Sequence, residues 1–285
     1  MAFSNAQIEV ISRSAIDAVH ADFVKLNDFA LDLTDLEEAP GTVVKVPVFE
    51  LSGAADFNED TNNYCSGVDE GNFLDVNLNK HLVKSVAITD RALAETQVAW
   101  YQHMGRGIGT VLAEGIQSTI FGAMNATNVP TSVEADLSTK APIANLVKVA
   151  TEANLPVSES IVVLNPTEYA KVLAAIGDSY VYGGNEAVRY GYIPGLYGFR
   201  RFVCSNYLPE GTKGVILSRS SLAVASRYLA PQPGAYVDAF KATDPDTGIT
   251  LGFRSFTELC KGKRFLAGEV LMGFAVKGNR AIRIV

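Results

Sequence analysis

The sequence predicts an α+β protein, and three observations carry that prediction. Ile8, Ile11, Ala15, Val19, Phe23, Leu26 and Ala30 recur at steps of three and four, the stripe of one long helix. Residues 42–83 read as a long hairpin, with alternating β-branched and apolar residues in both arms. A glycine-containing helical pattern follows to about Asn125, then a short α/β unit and a strand-rich final third.

Ser4-Asn-Ala-Gln7 has the spacing of a capping box in front of the first stripe. The helix is expected to run about 26 residues and to end before Pro40-Gly41. No second helix stands obviously beside it, so the stripe must dock on the body of the protein or on another subunit.

The hairpin has arms at 42–51 and 73–83, and Leu74, Val76, Leu78 and Leu82 share one face of the second arm. About twenty residues rich in Gly, Ser, Asn and acid lie between the arms, including Asp56, Glu59, Asp60, Asp69 and Glu70. Strands are usually joined by about 2–6 residues, and longer loops tend to be functional. An isolated two-stranded ribbon is marginal in water. The ribbon is therefore expected to lie on another copy of the same chain, as an assembly device.

Thr89-Asp90 offers an N-cap for the glycine-containing helix. Its expected buried side is Val98, Tyr101, Ile108, Val111, Leu112, Ile116, Ile120 and Met124. From Val98 this spine extends roughly 40 Å. Gly105, Gly107, Gly109, Gly115 and Gly122 each cost a helix up to about 1 kcal/mol. They make sense where another backbone crosses closely or where the helix bends.

Residues 125–139 read as a polar loop. Pro142 opens a helix with Ile143, Leu146, Val147 and Ala150 inward, and residues 161–164 form a short buried strand. Asn165-Pro-Thr-Glu168 combines an N-cap with proline at the first helical position. The helix it starts, through Tyr169, Val172, Leu173 and Ile176, stops at Gly177. A Gly/Tyr-rich loop over 177–198 carries Tyr180, Tyr182, Tyr190, Tyr192 and Tyr197. Strands are expected at 199–204, 215–217, 222–228, 236–242, 250–256, 264–274 and 280–285, with Asp244-Pro-Asp-Thr-Gly248 as a turn.

Net charge is −7 and unevenly spread: residues 1–40 carry −6, residues 41–188 carry −9 and residues 189–285 carry +8. Either the charges scatter over a solvated surface, or an acidic N-terminal half meets a basic C-terminal third of a neighbouring copy. An acidic chain is a poor candidate for a tight nucleic-acid binder. Cys65, Cys204 and Cys260 are odd in number, widely separated and read as free thiols. The N-terminus lacks the basic-then-apolar pattern of a signal peptide, and no apolar run approaches the roughly 20 residues of a membrane span. A soluble chain made in the cytoplasm is the expectation.

No catalytic constellation emerges, and neither an enzyme nor a cofactor is expected. Gly105-Arg-Gly-Ile-Gly109 interrupts a helix instead of following a strand, so it is not a dinucleotide loop. The Asp244 segment lacks the glycine position and terminal Glu of a calcium loop, its twelfth position being Ser255. His20, His81 and His103 are not paired at metal spacing, and no Gly-x-Ser-x-Gly accompanies them. The acidic loop could bind a cation or a basic neighbour, or be a plain solvated tip. The tyrosines of 177–198 favour a protein interface over a ligand pocket, because Tyr supplies large contact area at low entropic cost.

The order of parts, with Pro40-Gly-Thr-Val-Val-Lys-Val-Pro47, Lys80-His-Leu-Val-Lys-Ser-Val-Ala-Ile-Thr-Asp90, Val162-Val-Leu-Asn-Pro166 and the run 189–209, resembles the major capsid protein family of tailed bacteriophages. That fold is shared with encapsulin nanocompartments. The resemblance spans nearly the whole chain. It implies an N-terminal helical arm (1–40), an extended β-hairpin loop (41–83), a peripheral domain with the spine helix (84–141), an axial α/β domain (142–230) and return strands of the peripheral domain (231–285). It also implies an L-shaped subunit whose Gly/Tyr loop approaches the five-fold and six-fold axes.

The function so implied is self-assembly into pentamers and hexamers of an icosahedral shell around double-stranded DNA, in a virion assembled in the host cytoplasm. An encapsulin-like shell is the alternative, and a small-molecule enzyme is disfavoured by the missing motifs. Assembly contacts are assigned to Phe57, Glu59, Asp60, Tyr64, Asp69 and Glu70 of the extended loop. Tyr180, Tyr182, Arg189 and Tyr192 of the Gly/Tyr loop join them, with Arg254, Lys261, Lys263 and Arg264 of the basic third. Residues 52–72 contain no lysine, so the covalent cross-link of some family members is not expected. The body begins by about Pro40, so no fused scaffolding domain is expected either. A separate scaffolding protein, a portal and a decoration protein are the partners in view, and DNA is enclosed without sequence-specific binding. An acidic or neutral inner wall would avoid gripping DNA that must later leave.

Overall fold

The computed structural model describes residues 5–23, 30–32, 42–48, 72–89, 91, 99–177, 193, 196–218, 221–231, 238–244, 248–258 and 263–285. Helix α1 (Asn5–Phe23) lies across α2 (Ala99–Gly122), the spine. Ile11, Ala15 and Val19 are buried against Met104, Ile108 and Leu112 in the main core. The crossing uses two of the spine glycines: a Cβ at Gly105 or Gly109 would collide with the backbone of Ile11 or Ala15. Gln7 Nε2 donates to the Tyr101 hydroxyl at 3.0 Å, tying α1 to the start of α2, and Ser4 of the expected capping box lies outside the described residues.

Two sheets organise the rest. The first has six strands in the order β1 (Ala30–Asp32), β9 (Leu222–Arg227), β12 (Lys263–Val276), β11 (Thr250–Glu258), β10 (Asp238–Thr243), with β4 (Lys80–Thr89) along the other edge of β12. The second runs β5 (Ser132–Val133), β13 (Ala281–Ile284), β8 (Gly214–Ser218), β6 (Ser160–Leu164), β7 (Arg201–Cys204). Ile161, Val163, Val203, Val215 and Leu217 face the spine-helix core. Their alternates Val162, Leu164, Phe202 and Ile216 face α3 (Lys140–Glu152) and α4 (Pro166–Gly177). Burial on both sides explains why β6 and β8 are continuous apolar runs instead of alternating ones. At the start of α4 the expected cap forms, with the Asn165 Oδ1 accepting from the Glu168 N–H at 2.8 Å.

The ribbon, β2 (Val43–Val48) with β3 (Asn72–Asn77), is antiparallel in the register Val44↔Val76 and Val46↔Leu74. Its root does not need another copy, contrary to expectation. Val46, Val76 and Leu78 are buried on Ala223 and Ala225 of β9, with Leu271 and Ala275 of β12 alongside. Three such side chains contribute on the order of 5 kcal/mol, enough to anchor a ribbon that is marginal alone. Small residues on the sheet make room: a Cβ at Gly273 would strike the Asn77 carbonyl. The acidic tip lies outside the described residues.

Other expectations need correction. Helix α1 is described over Asn5–Phe23, and Ala30, expected on its stripe, belongs instead to a strand parallel to β9 (Ala30↔Leu222), because pairing with the sheet overrides the apolar period. Val111 is 42% exposed, since the buried row follows Ile108, Leu112, Ile116 and Ile120 at steps of four. The polar loop 125–139 contains β5, which pairs with β13. Its start is an Asx turn, Asn125 Oδ1 accepting from the Thr127 and Asn128 N–H groups. The second ribbon arm is two strands: β3 ends at Asn77, and β4 turns to pair with β12 from Met272↔Lys80 to Lys263↔Thr89. Finally, β9 joins the spine-helix sheet and β13 the α/β sheet, so both cross the expected boundaries at Ala230 and within 231–285.

Candidate assembly surfaces

The six-stranded sheet has one face on α1 and α2 and the other on the ribbon side. Period-two alternation sorts its residues: Leu266, Val270 and Met272 of β12 enter the helix-side core. The ribbon root covers only the β9 half of the other face. Among the described residues, no strand or helix covers the remaining half. Val83, Ser85 and Ala87 of β4 lie there opposite Glu269, Ala267 and Phe265 of β12. Next to Phe265, Phe256 of β11 stacks at 4.8 Å between ring centroids, 5° from parallel. Val83 is 51% exposed and Phe256 45%, so this apolar area is accessible within the subunit.

A buried carboxylate separates the covered and open halves. Glu269 accepts from Arg254 Nε at 2.6 Å through Oε1 and contacts His81 Nε2 at 3.1 Å through Oε2. Arg254 also donates through an Nη to the Leu229 carbonyl at 3.0 Å. Burial raises the neighbouring Tyr228 phenol above its ordinary range, Arg254 pulls it down and Glu269 raises it further. The network joins β4, β11, β12 and the segment after β9. Glu269→Ala leaves Arg254 half-buried without its carboxylate. A loss of about 2 kcal/mol is expected, below the value for a fully buried pair because Arg254 and His81 reach solvent. Denaturant unfolding of the two proteins reads that difference.

Of the assigned assembly residues, Arg254 and Lys263 lie on this ribbon-side face. Arg264 pairs with Ile88 and shares the opposite face. Arg254 is engaged within its own chain by Glu269. Phe57, Glu59, Asp60, Tyr64, Asp69, Glu70, Tyr180, Tyr182, Arg189, Tyr192 and Lys261 lie outside the described residues. The Phe256–Phe265 stack, Val83 and the Glu269 network were missed by sequence reasoning. The one available signal was a lone carboxylate inside the apolar run 265–272. Among the described residues, no group of three or more His, Cys, Asp or Glu could hold a metal ion. No helix there is long and apolar enough to cross a membrane.

The sequence matches the family described as phage capsid protein over residues 74–256, from the second ribbon strand to Phe256 of the open face. The chain belongs to the phage capsid protein family. The capsid protein also has the fold of solved shells. The capsid of cyanophage P-SCSP1u is similar at 16% identity, a TM-score of 0.58 and coverage of 90% of this chain and 85% of that one. The capsid of a native GTA particle gives 10%, 0.61, 93% and 89%. A virus-like particle from Pyrococcus furiosus gives 13%, 0.56, 97% and 98%. No curated protein matches the sequence. The capsid protein is a structural subunit of a phage shell, which places it in the virion.

Proposed function

We propose that the capsid protein assembles with itself into pentamers and hexamers of an icosahedral shell that encloses double-stranded DNA without reading its sequence. Assembly takes place in the host cytoplasm, with a separate scaffolding protein and a portal, and with a decoration protein as a further partner. It has no catalytic role. The spine helix and its sheet, β9 included, act as a peripheral unit, and the five-stranded sheet with α3 and α4 acts as an axial unit carrying the Gly/Tyr loop.

The observation that carries this reading is the half-covered sheet. The ribbon root occupies one half of the face, and the open half presents Val83, Phe256 and Phe265 with Lys241 and Lys263 on the same side. Residues 49–71 of the ribbon carry six acidic side chains and no basic one, with Phe57 and Tyr64 among them. An acidic, aromatic tip from a neighbouring copy complements that surface in both charge and apolarity. Repeating the contact around a symmetry axis closes a ring.

The test is negative-stain electron microscopy with light scattering on the purified full-length chain. Uniform hollow particles tens of nanometres across are expected, with one monomer band on a denaturing gel. Lys241→Glu with Lys263→Glu should abolish them, and adding Glu59→Lys with Asp60→Lys should restore them in part. Monomers alone at every salt and crowding condition, with and without scaffold, would sink the proposal. Shells that exclude nucleic acid when formed in its presence would favour the nanocompartment alternative.

A further inference from the structure

On the opposite side of the same sheet, α1 and α2 leave a groove of about 440 Å³ beside their crossing. Arg13 and Asp17 reach it from α1, one turn apart, and Gln102, His103 and Arg106 from α2. All five are exposed. The Ser14 hydroxyl, which also lines the groove, donates to the Ile11 carbonyl at 3.0 Å. Two guanidiniums therefore line one depression, and neither has an ion pair among the described residues. The groove is roomy and polar, and its walls are held at fixed separation by the Gly105 and Gly109 contacts.

We infer that this groove binds the phosphodiester backbone of the nucleic acid inside the shell, with Arg13 and Arg106 as paired phosphate clamps. The assignment of the phosphate to nucleic acid rests on the proposed shell function, and it turns the helix side of the sheet inward. Guanidinium forks match phosphate oxygens two at a time. The Gln102 amide and the His103 imidazole supply further donors. No base edge is needed, so the contact is independent of sequence. Asp17 works against it: a carboxylate in the same groove repels phosphate and keeps each contact weak. A single weak clamp on each subunit, repeated over a shell, orders packaged DNA against the wall and still lets it leave. This refines the expectation of an acidic wall. The chain as a whole is acidic, and the positive charge is local.

The test uses unassembled full-length protein, so its result does not depend on shell formation. Binding of a fluorescein-labelled 20-base-pair duplex is read by anisotropy at several salt concentrations. Two clamps predict a slope of about −1.8 in log K against log salt, roughly a ten-fold loss between 50 and 200 mM. Arg106→Gln should halve the slope, and Arg13→Gln with Arg106→Gln should abolish binding. Asp17→Asn should strengthen it about three-fold, a gain that a general loss of structure cannot produce. The inference is overturned if the double variant binds like wild type, or if Asp17→Asn leaves affinity unchanged. It is equally overturned if inorganic tripolyphosphate binds and the duplex does not, or if an acidic peptide spanning residues 49–71 takes the groove in preference. Shells by microscopy without duplex binding would remove this site and leave the shell function standing.

Discussion

Gly273→Val is expected to give a folded subunit that forms no shells. In the native sheet the Asn77 carbonyl and the Leu78 amide pass where a side chain on residue 273 would stand. Both are backbone groups and cannot rotate away. The ribbon root must lift off, exposing Val46, Val76 and Leu78 and the alanines beneath them. Overpacking alone costs about 1–3 kcal/mol, and losing the burial of the ribbon root raises the effect to on the order of 5 kcal/mol. The melting temperature should fall by roughly 10–15 °C. The larger effect is on assembly, because the proposed contact between copies needs the ribbon root held on its own sheet. Hydrogen exchange should show protection lost in 43–48 and 72–78 and retained in β6 and β8. Normal shells from Gly273→Val would mean that the ribbon root need not sit on its own sheet.

The second large effect separates two glycines only two residues apart. Gly109→Leu forces a side chain into the backbone of Ala15, where α1 crosses the spine. Neither helix can yield without losing the buried contacts of Ile11, Ala15 and Val19. A destabilisation of about 3 kcal/mol is expected, with α1 released to protease. Gly107 faces open space, with nothing within 4 Å of where a Cβ would stand. Gly107→Ala should instead stabilise by up to about 1 kcal/mol, through helix propensity alone. Denaturant unfolding and limited proteolysis on the two variants check both signs. Equal effects at 107 and 109 would contradict the crossing.

Much of this fold is legible in the sequence because its signals are local. The Asn165 cap and the period of Ile108, Leu112, Ile116 and Ile120 each depend on neighbours a few residues away. The turn at Asp244 is of the same kind; there the Gly248 N–H donates to the Asp244 carbonyl at 2.8 Å, with φ of 70° at Gly248. A close crossing was legible at Gly105 and Gly109, though not at Gly107, which faces open space. The crossing partner was not: nothing local to Gly109 names Ala15.

The candidate surfaces were less legible. Charge segregation pointed to Arg254, Lys263 and Arg264 together, yet Arg264 lies on the other face of the sheet and Arg254 is bound to Glu269. A one-residue step on a strand reverses a side chain, and composition is blind to that parity. The open patch joins Val83 to Phe256 and Phe265, which lie more than 170 residues further along the chain, so no window of sequence contains all three. The same holds for the phosphate groove, whose cations lie about ninety residues apart.

By itself, then, the sequence determined the α+β class, the order of arm, ribbon, spine helix, α/β unit and return strands, and the resemblance to phage capsid proteins. Each of these rests on periodicity, capping and turn chemistry, which act over a few residues. Only the tertiary structure decided that the ribbon root is buried on its own sheet and that Ala30 joins a parallel strand instead of the first helix. It alone exchanged β9 and β13 between the two sheets and left half of one face bare. Those outcomes turn on long-range register and on which small residues permit two backbones to meet, and neither is encoded in any local pattern.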